Sequence, residues 1–212
     1  MFRSPASLSV VLPEIEDLGR APYAPVLAHM RALHADVAAG RRCGRVLLVE
    51  HEPVYTAGRA TPPQELGPDI VPIERGGRVT FHGPGQLVVY PIVPLPRRDV
   101  RDWLRRLEAF GVAICGDFSL RAVASLDGTG VFVGDRKVAS IGVAIRRWTN
   151  LHGIALNVAM DARSWLRVRP CGRDPESMGD LATACGRPID LAEVRAAVRA
   201  RVSMFTDAAV PL

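Results

Sequence analysis

Lys137 is the only lysine among the 27 basic residues of this chain, and all the others are arginine. Arginine keeps its charge at any working pH and cannot act as a base, whereas a lysine amine shifts its pKa readily and can move a proton. A composition rich in Ala, Arg, Gly and Pro could also leave one lysine on the surface by chance. Lys137 stands at a hairpin-like turn, where lysines are usually solvated, but it leads a strand of small residues containing Ser140, Ile141 and Gly142. The residues around it must therefore decide between a base and an inert side chain.

Cys171 is the second candidate for chemistry, because it stands between Pro170 and Gly172 rather than in an apolar stripe. Cysteine is among the most buried residue types, so a structural role is the ordinary expectation. That expectation fits Cys115 and Cys185, which lie at the ends of apolar segments, whereas Cys43 is expected at the edge of a loop. A thiol in a stiff loop, just before a helix start at Asp174 and near cations, is instead placed for a lowered pKa and a nucleophilic thiolate.

The Gly-rich segment RGGRVTFHGPGQ, residues 75–86, is the third. Four glycines and a proline in twelve residues indicate backbone held close to a ligand, with exposed amides as donors. The segment also carries four polar side chains that could contact a ligand, those of Arg75, Arg78, Thr80 and His82. The alternative is an ordinary turn before the strand that starts at Gln86. The pattern GxxxxGK[ST] is absent, and no GxGxxG follows a strand, so nucleotide binding has no direct support.

Composition narrows the classes of protein that this chain can belong to. At 212 residues and 48% hydrophobic, residues 1–212 are expected to form one domain with a substantial core. The four cysteines show no metal-ligand or disulfide spacing, which predicts free thiols and no metal. The N-terminus does not resemble a signal peptide, and no segment is long enough to cross a membrane, so a cytoplasmic protein is expected.

The charge balance indicates an acidic partner. The formal net charge is +5 and the isoelectric point about 9.5. Nucleic acid is one possibility, but the arginines are scattered and only 6% of residues are aromatic. No stacking platform for single strands is therefore evident. An acidic protein or substrate fits the charge equally well.

The elements that must position these residues follow from periodicity. Apolar stripes at helical spacing predict helices over 21–39 and 100–110, and Asp190 with Glu193 predicts a capping box before a last helix. A further helix is predicted from Asp174 to Cys185. Strands are predicted at 46–49, 86–93 and 153–158, with a hairpin of 131–133 and 138–145 around residues 134–137. Strands and helices mix without strict βαβ alternation, so the prediction is an α+β fold with a mixed sheet.

Taken together, these segments resemble the lipoyl(octanoyl) transferases, the octanoyl-[acyl-carrier-protein]:protein N-octanoyltransferases of lipoate biosynthesis. The resemblance runs from about Leu18 to about Val202. Its motifs are EHEPVYTAGR (50–59), RGGRVTFHGPGQ (75–86), GVFV (130–133), KVASIG (137–142), HGIALN (152–157) and PCG (170–172). Each motif is weak alone, but all of them in this order are specific.

The resemblance implies a fold and a site. The fold is that of the biotin/lipoyl protein ligase catalytic domain, a mixed α/β domain with a larger and a smaller sheet and surrounding helices. The site is a Cys/Lys dyad in which Cys171 is the acyl-thioester nucleophile and Lys137 its acid/base partner. The acyl pocket would be lined by three segments: Arg75, Gly76, Gly77, Arg78, Val79, Thr80, Phe81 and His82; Ser140, Ile141 and Gly142; Gly153, Ile154 and Ala155.

It also implies partners. The octanoyl donor would be acyl carrier protein, which carries the acyl group on its phosphopantetheine, and no bound cofactor is expected. The acceptors would be lipoyl domains of 2-oxoacid dehydrogenase E2 subunits and the glycine cleavage H protein, and neither nucleic acid nor membrane is expected as a partner. Two alternatives share the fold: an ATP-dependent lipoate–protein ligase, which would not need Cys171, and an octanoyl amidotransferase. A basic binding module with a structural Cys171 is the alternative from another class.

Overall fold

The computed structural model describes residues 12–125, 129–165 and 174–206. Ten strands and four α-helices occur in these ranges, together with several short 3₁₀ turns. The strands are β1 (Glu14–Ala21), β2 (Arg45–His51), β3 (Val54–Ala57), β4 (Ile70–Pro72), β5 (Val79–His82), β6 (Gln86–Ile92), β7 (Ala122–Ala124), β8 (Gly130–Val133), β9 (Arg136–Arg146) and β10 (Thr149–Asn157). The helices are α1 (Tyr23–Ala38), α2 (Val100–Asp117), α3 (Leu181–Cys185) and α4 (Leu191–Ala200).

Seven strands form the large sheet in the order β1-β2-β6-β10-β9-β8-β7. Only β1 and β2 run parallel; every other neighbouring pair is antiparallel. Every residue of the central strands β6 and β10 is buried. Their near-continuous apolar runs are typical of strands covered on both faces, even though these two pair antiparallel. The small sheet has the order β4-β3-β5.

Helices cover the two faces of the large sheet. One face packs on α2 and α4 through a core that includes Phe110 and Val198, and the other packs on α1 through a core that includes Met30. The helix starts follow from their caps. Asp99 accepts hydrogen bonds from two amides of the first turn of α2, and Asp190 with Glu193 forms the capping box expected at α4.

The α+β fold with a mixed sheet is therefore confirmed, and several element predictions hold to within a few residues. The helix predicted over 21–39 is α1, and the strands predicted at 46–49, 86–93 and 153–158 lie in β2, β6 and β10. The helix predicted over 100–110 continues to 117. Strands β1, β3, β4, β5 and β7 were not predicted. Their short or polar sequences carry little alternation, and their positions depend on pairing with distant strands.

Two predictions are corrected at the segments nearest the candidate site. The hairpin turn contains only Gly134 and Asp135, so Lys137 is not a turn residue but the second residue of β9. The helix predicted from Asp174 to Cys185 is instead a 3₁₀ turn at Pro175–Ser177 followed by α3. The chain between them is extended because Met178 pairs with the backbone of Lys137, an interaction that helical periodicity cannot reveal.

None of the helices in the described ranges is long and apolar enough to cross a membrane.

Candidate active site

An open cavity lies against the middle of the large sheet, on the side that faces α1. Strands β6, β9 and β10, the Gly-rich segment and the start of α1 supply its walls. The lining residues are Tyr23, Ile73, Arg75, Thr80, His82, Val88, Tyr90, Ser140, Ile141, Gly142, His152, Gly153, Ile154 and Ala155. A mostly apolar cavity with a few polar groups is typical of a small-molecule site.

The structure brings together nine of the predicted pocket residues in this cavity: Arg75, Thr80, His82, Ser140, Ile141, Gly142, Gly153, Ile154 and Ala155. The other five do not line it. Arg78 forms an ion pair with Glu65, and Val79 is buried away from the cavity. The ring of Phe81 packs against that of Trp165 rather than into the cavity. Gly76 donates its amide to Val143 O over 2.9 Å, and Gly77 O accepts a hydrogen bond from the chain at residue 60.

Arg75 organises the Gly-rich segment. Its guanidinium donates to the carbonyls of Gly76 and Arg78 over 3.0 and 2.8 Å, and to the carbonyl and hydroxyl of Thr56 over 2.8 and 3.0 Å. A Cβ on Gly142 would lie 2.8 Å from Arg75 Cδ, so glycine there lets the arginine lie flat on β9. These contacts explain how a segment rich in glycine keeps one shape beside the cavity.

A chain of buried side-chain hydrogen bonds fixes the tautomer of His82. Asn157 Nδ2 donates to Gly179 O over 2.8 Å, so Asn157 Oδ1 accepts from Gln86 Nε2 at 2.9 Å. Gln86 Oε1 must then accept from His82 Nδ1 at 2.7 Å. His82 Nδ1 therefore carries the proton, and the ring's Nε2 is a lone-pair acceptor. A histidine lining the cavity in this tautomer can accept a hydrogen bond from a bound N–H or O–H.

Burial keeps both central histidines neutral. Desolvation lowers the pKa of His82 to about 3 and that of His51 to about 4. His51 Nε2 lies 2.9 Å from Tyr90 Oη and its Nδ1 lies 3.3 Å from Ala21 O. Since the carbonyl can only accept, Nδ1 donates and Nε2 accepts from the tyrosine hydroxyl. Neither ring is suited to exchange protons near pH 7.

These two histidines predict a loss of stability in mild acid. In the unfolded chain they titrate near pH 6.5, but in the folded protein they stay neutral down to about pH 4 and 3. Because the unfolded state binds more protons, the free energy of unfolding is at its full value above about pH 7 and falls as the pH drops below 6.5. Each histidine contributes a slope of up to about 1.4 kcal/mol per pH unit. Urea unfolding at a series of pH values between 8 and 4 measures this slope.

A matched pair of variants tests the assignment. His51→Gln keeps a donor and an acceptor for Ala21 O and Tyr90 Oη but removes the titration, so we expect a shallower decline. His29→Gln removes a half-exposed histidine and should leave the decline in place. Stability that is flat or rises from pH 6.5 to pH 5 in the wild-type protein would contradict this prediction.

His152 brings a second polar group to the cavity. It has a left-handed φ of 67° in the middle of β10, an arrangement that costs of order 1–3 kcal/mol and is common at ligand sites. The Nε2 of His152 lies 3.6 Å from Glu74 Oε2. Arg31 donates two hydrogen bonds, of 3.0 and 2.8 Å, to the same carboxylate. His152 and Arg31 hold the pKa of Glu74 well below its ordinary value. His152 thus adds a polar side chain to the strand wall of the cavity.

Lys137 is buried, with only 3% of its surface exposed. Its backbone holds the returning chain, because Lys137 O accepts from Gly179 N over 3.0 Å and Met178 pairs with it in parallel. Asn157 Nδ2 donates to the same carbonyl at 3.4 Å. A buried lysine in a strand is unlike the solvated turn residue that composition alone would allow. Its position agrees with a functional amine.

Cys171 lies outside the described residues, as do Pro170 and Gly172. The described chain on either side of it returns to the Lys137 end of β9. Trp165 packs with Phe81 and Met178 in one apolar cluster, and Met178 pairs with Lys137. Cys171 is seven residues from Met178, so the length of the chain allows the thiol to reach Lys137.

Sequence reasoning missed five residues that line the cavity: Tyr23, Ile73, Val88, Tyr90 and His152. A signal existed for two of them, since alternation in the predicted strand from Gln86 puts residues 86, 88 and 90 on one face. None existed for Tyr23 and Ile73, which tertiary packing brings to the cavity. Within the described chain, Tyr23 Oη and Ser140 Oγ have no hydrogen-bond partner, so both can contact a bound molecule.

The two sheets and the cavity on the α1 side define a catalytic domain with the fold of lipoate and biotin protein ligases. A lipoate-protein ligase A solved with ATP superimposes with a TM-score of 0.72 over 92% of this chain and 85% of that one, at 17% identity. The biotin protein ligase of Leishmania major gives a TM-score of 0.57 over 92% of this chain and 77% of that one, at 14% identity. At these identities the likeness shows the fold alone.

The family model described as the lipoyl protein ligase A/B catalytic domain matches residues 22–203, and the chain belongs to this family. Curated relatives named octanoyltransferase match nearly all of it. That of Syntrophotalea carbinolica is 43% identical, over 87% of this chain and 90% of its own length. That of Geobacter metallireducens is 40% identical, over 93% and 95%.

Proposed function

We propose that this chain is an octanoyltransferase that moves the octanoyl group from octanoyl-acyl carrier protein to the acceptor lysine of lipoyl domains, the first step of lipoate biosynthesis. The observation that carries the proposal is the 40–43% identity to proteins named octanoyltransferase, which extends over nearly the whole chain. An apolar cavity bordered by Ser140, three residues from the only lysine, supports it from the structure.

The first half-reaction forms an acyl-enzyme. The Lys137 ammonium stabilises the Cys171 thiolate, which attacks the carbonyl carbon of the octanoyl thioester. The carbon–sulfur bond to phosphopantetheine breaks, and the Lys137 ammonium protonates the departing thiolate. The products are a Cys171 octanoyl thioester, a free pantetheine thiol and a neutral Lys137 amine. A medium-length acyl chain occupies the cavity during this step.

The second half-reaction restores the enzyme. The acceptor lysine, which arrives after losing one proton to solvent, attacks the thioester carbonyl with its neutral amine. The neutral Lys137 amine accepts the second proton as the amide forms, and Cys171 leaves as thiolate. The thiolate–ammonium pair is regenerated, so one lysine serves both half-reactions. No bound cofactor or metal enters either step.

His82 is placed to orient reactants rather than to move protons. Its pKa of about 3 makes it a poor base near pH 7, but its Nε2 can accept a hydrogen bond from an amine or amide N–H in the cavity. The oxyanion formed in each half-reaction needs hydrogen-bond donors; the Gly76 amide is engaged with Val143 O, and the Gly172 amide is the candidate that remains from the sequence. The two Nη groups of Arg75 donate to the carbonyls of Thr56, Gly76 and Arg78.

The partners follow from this reaction. The acyl carrier protein delivers the substrate on its phosphopantetheine, and the acceptors are lipoyl domains of 2-oxoacid dehydrogenase E2 subunits and the H protein of glycine cleavage. Acidic partners suit a chain with a formal net charge of +5, because charge complementarity raises the rate of encounter. A cytoplasmic location is part of the same proposal.

A transfer assay without ATP tests the proposed function. Purified protein is incubated with octanoyl-acyl carrier protein and an unmodified lipoyl domain, and the mass of the lipoyl domain is followed. We expect the octanoyl amide to form on the acceptor lysine without ATP. A parallel reaction with free octanoate, ATP and Mg²⁺ should give no product. Product only in that second reaction would overturn the proposal in favour of a ligase, and a lipoyl domain lacking its acceptor lysine is the control.

A further inference from the structure

Glu108 is a buried carboxylate that the mechanism above does not use. It lies on the face of α2 that packs on the large sheet, between Leu107 and Phe110, and only 8% of its surface is exposed. Isolated carboxylates are rarely buried because desolvation is costly. Burial accordingly raises the pKa of Glu108, while the Gly130 amide, Arg105 and Lys137 each lower it.

Gly130 contacts both Glu108 and Lys137. Its amide donates to Glu108 Oε1 over 3.3 Å. Its φ is +148°, and a Cβ there would lie 2.4 Å from Lys137 Cε and 3.1 Å from Lys137 Nζ. The end of the lysine side chain therefore rests against the residue whose amide holds the carboxylate. Glycine is required because any side chain would displace the amine.

Few other charges act on this carboxylate. From its own helix, Arg105 contributes, with a side chain that is 65% exposed. From the elements packed against α2, β7, β8 and β10 bring no Asp, Glu, Lys or Arg. The charges of α4 are engaged elsewhere: Arg195 and Arg199 with Asp17, and Glu193 with Arg187. On β9, Arg136 and Arg146 are exposed, so Lys137 is the buried cation that Glu108 interacts with in the described chain.

We propose that Glu108 is the positioning residue of Lys137: its carboxylate, held by the Gly130 amide, keeps the buried amine protonated and aimed along β8. A lysine buried without a counter-charge would lose its proton near neutral pH and could not stabilise a thiolate. The carboxylate therefore sets the pH range over which the ammonium and the neutral amine interconvert. The catalytic consequence rests on the proposed function, whereas the effect on Lys137 does not.

The single lysine makes the test direct. Protein labelled with ¹³C at lysine Cε gives one resonance, from Lys137, whose chemical shift against pH measures the pKa of its amine. The measurement uses a chain without a lysine-containing tag and the Cys171→Ser background, so that no thiolate contributes. Glu108→Gln removes the charge but keeps an acceptor for the Gly130 amide. We expect it to lower the pKa of Lys137 by about one pH unit or more.

Glu193→Gln is the matched control. It removes the same charge from the exposed start of α4, keeps an oxygen acceptor at the capping box, and should leave the pKa of Lys137 unchanged. Equal pKa values of Lys137 in Glu108→Gln and in its parent would overturn the proposal. If Glu108→Gln does not fold, the parent protein decides. A lysine pKa near or above the ordinary value of about 10.4 supports a counter-charge, and a pKa well below it overturns one.

The transfer reaction gives a second readout, in the active Cys171 background. Both half-reactions depend on the charge of Lys137, so Glu108→Gln should move both limbs of the pH–rate profile to lower pH. A merely structural role for Glu108 would lower the rate at every pH without moving the profile. A wild-type protein that transfers no octanoyl group would refute the proposed function but would leave the NMR result intact, so the two failures are distinguishable.

Discussion

Replacing Cys171 with serine should abolish the acyl-enzyme and lower octanoyl transfer by at least about 10³-fold. A hydroxyl is far less acidic than a thiol, so the Lys137 ammonium cannot hold it as an anion at neutral pH. The measurement is the intact mass of the protein after incubation with octanoyl-acyl carrier protein. The wild-type protein should gain one octanoyl group that hydroxylamine removes, and Cys171→Ser should gain none.

The other cysteines provide controls for this experiment. Cys43 is exposed and Cys185 half-buried, and burial raises the pKa of Cys115 to about 12. Cys43→Ser and Cys185→Ser should therefore keep both the adduct and the transfer rate. An adduct that persists on Cys171→Ser but disappears with Cys43→Ser would show that the sequence motif points to the wrong thiol.

Replacing Lys137 with arginine should lower transfer by about 10²–10⁴-fold without unfolding the protein. Arginine keeps the positive charge beside Glu108 but cannot release a proton, so the neutral base of the second half-reaction is lost. The fold should survive because residues 178 and 179 and Asn157 contact the backbone of Lys137, which the substitution leaves unchanged. Single-turnover kinetics of acylation and deacylation, with thermal unfolding beside them, measure both expectations.

The neighbouring arginine offers a matched control. The side chain of Arg136 is 53% exposed, so replacing it with lysine should not disturb the fold. The double variant Arg136→Lys, Lys137→Arg therefore keeps one lysine in the chain but moves it by one position. Adjacent residues of a strand point to opposite faces, and the displaced amine cannot reach the site of Lys137. We expect no rescue. Full activity of Lys137→Arg, alone or in the double variant, would remove the proton-shuttle role.

Local patterns predicted the helices and central strands, because each of those elements carries its own periodicity or cap. The amphipathic stripe of α1, the buried run of β6 and the Asp190–Glu193 capping box are all local signals. The segment 174–185 was mistaken for one helix because its composition permits helix. Met178 pairs with Lys137 of β9, which is 41 positions away (178 − 137), and such contacts override local propensity.

The residues of the candidate site were likewise predictable where the signal is local and not where it depends on packing. Nine cavity residues were predicted because they stand in motifs that are contiguous in sequence. Tyr23 and Ile73 come from α1 and from a loop, and only packing brings them to the cavity. Glu108 could not be singled out from the sequence, for a different reason. In the sequence it is one more charge on a helix with several, and only its burial against Gly130 sets it apart.

The position of residues 178 and 179 beside β9 and the shape of the cavity wall depend on different kinds of contact. The spacing between Lys137 and the segment that follows Cys171 is set by main-chain hydrogen bonds, which side-chain replacements do not alter. The cavity wall, by contrast, is built from side chains such as Ser140 and Val88 in the middle of the sheet. Point substitutions in the cavity wall should therefore leave the main-chain pairing of β9 with residues 178 and 179 in place, whereas an insertion or deletion beside Met178 would disturb that pairing.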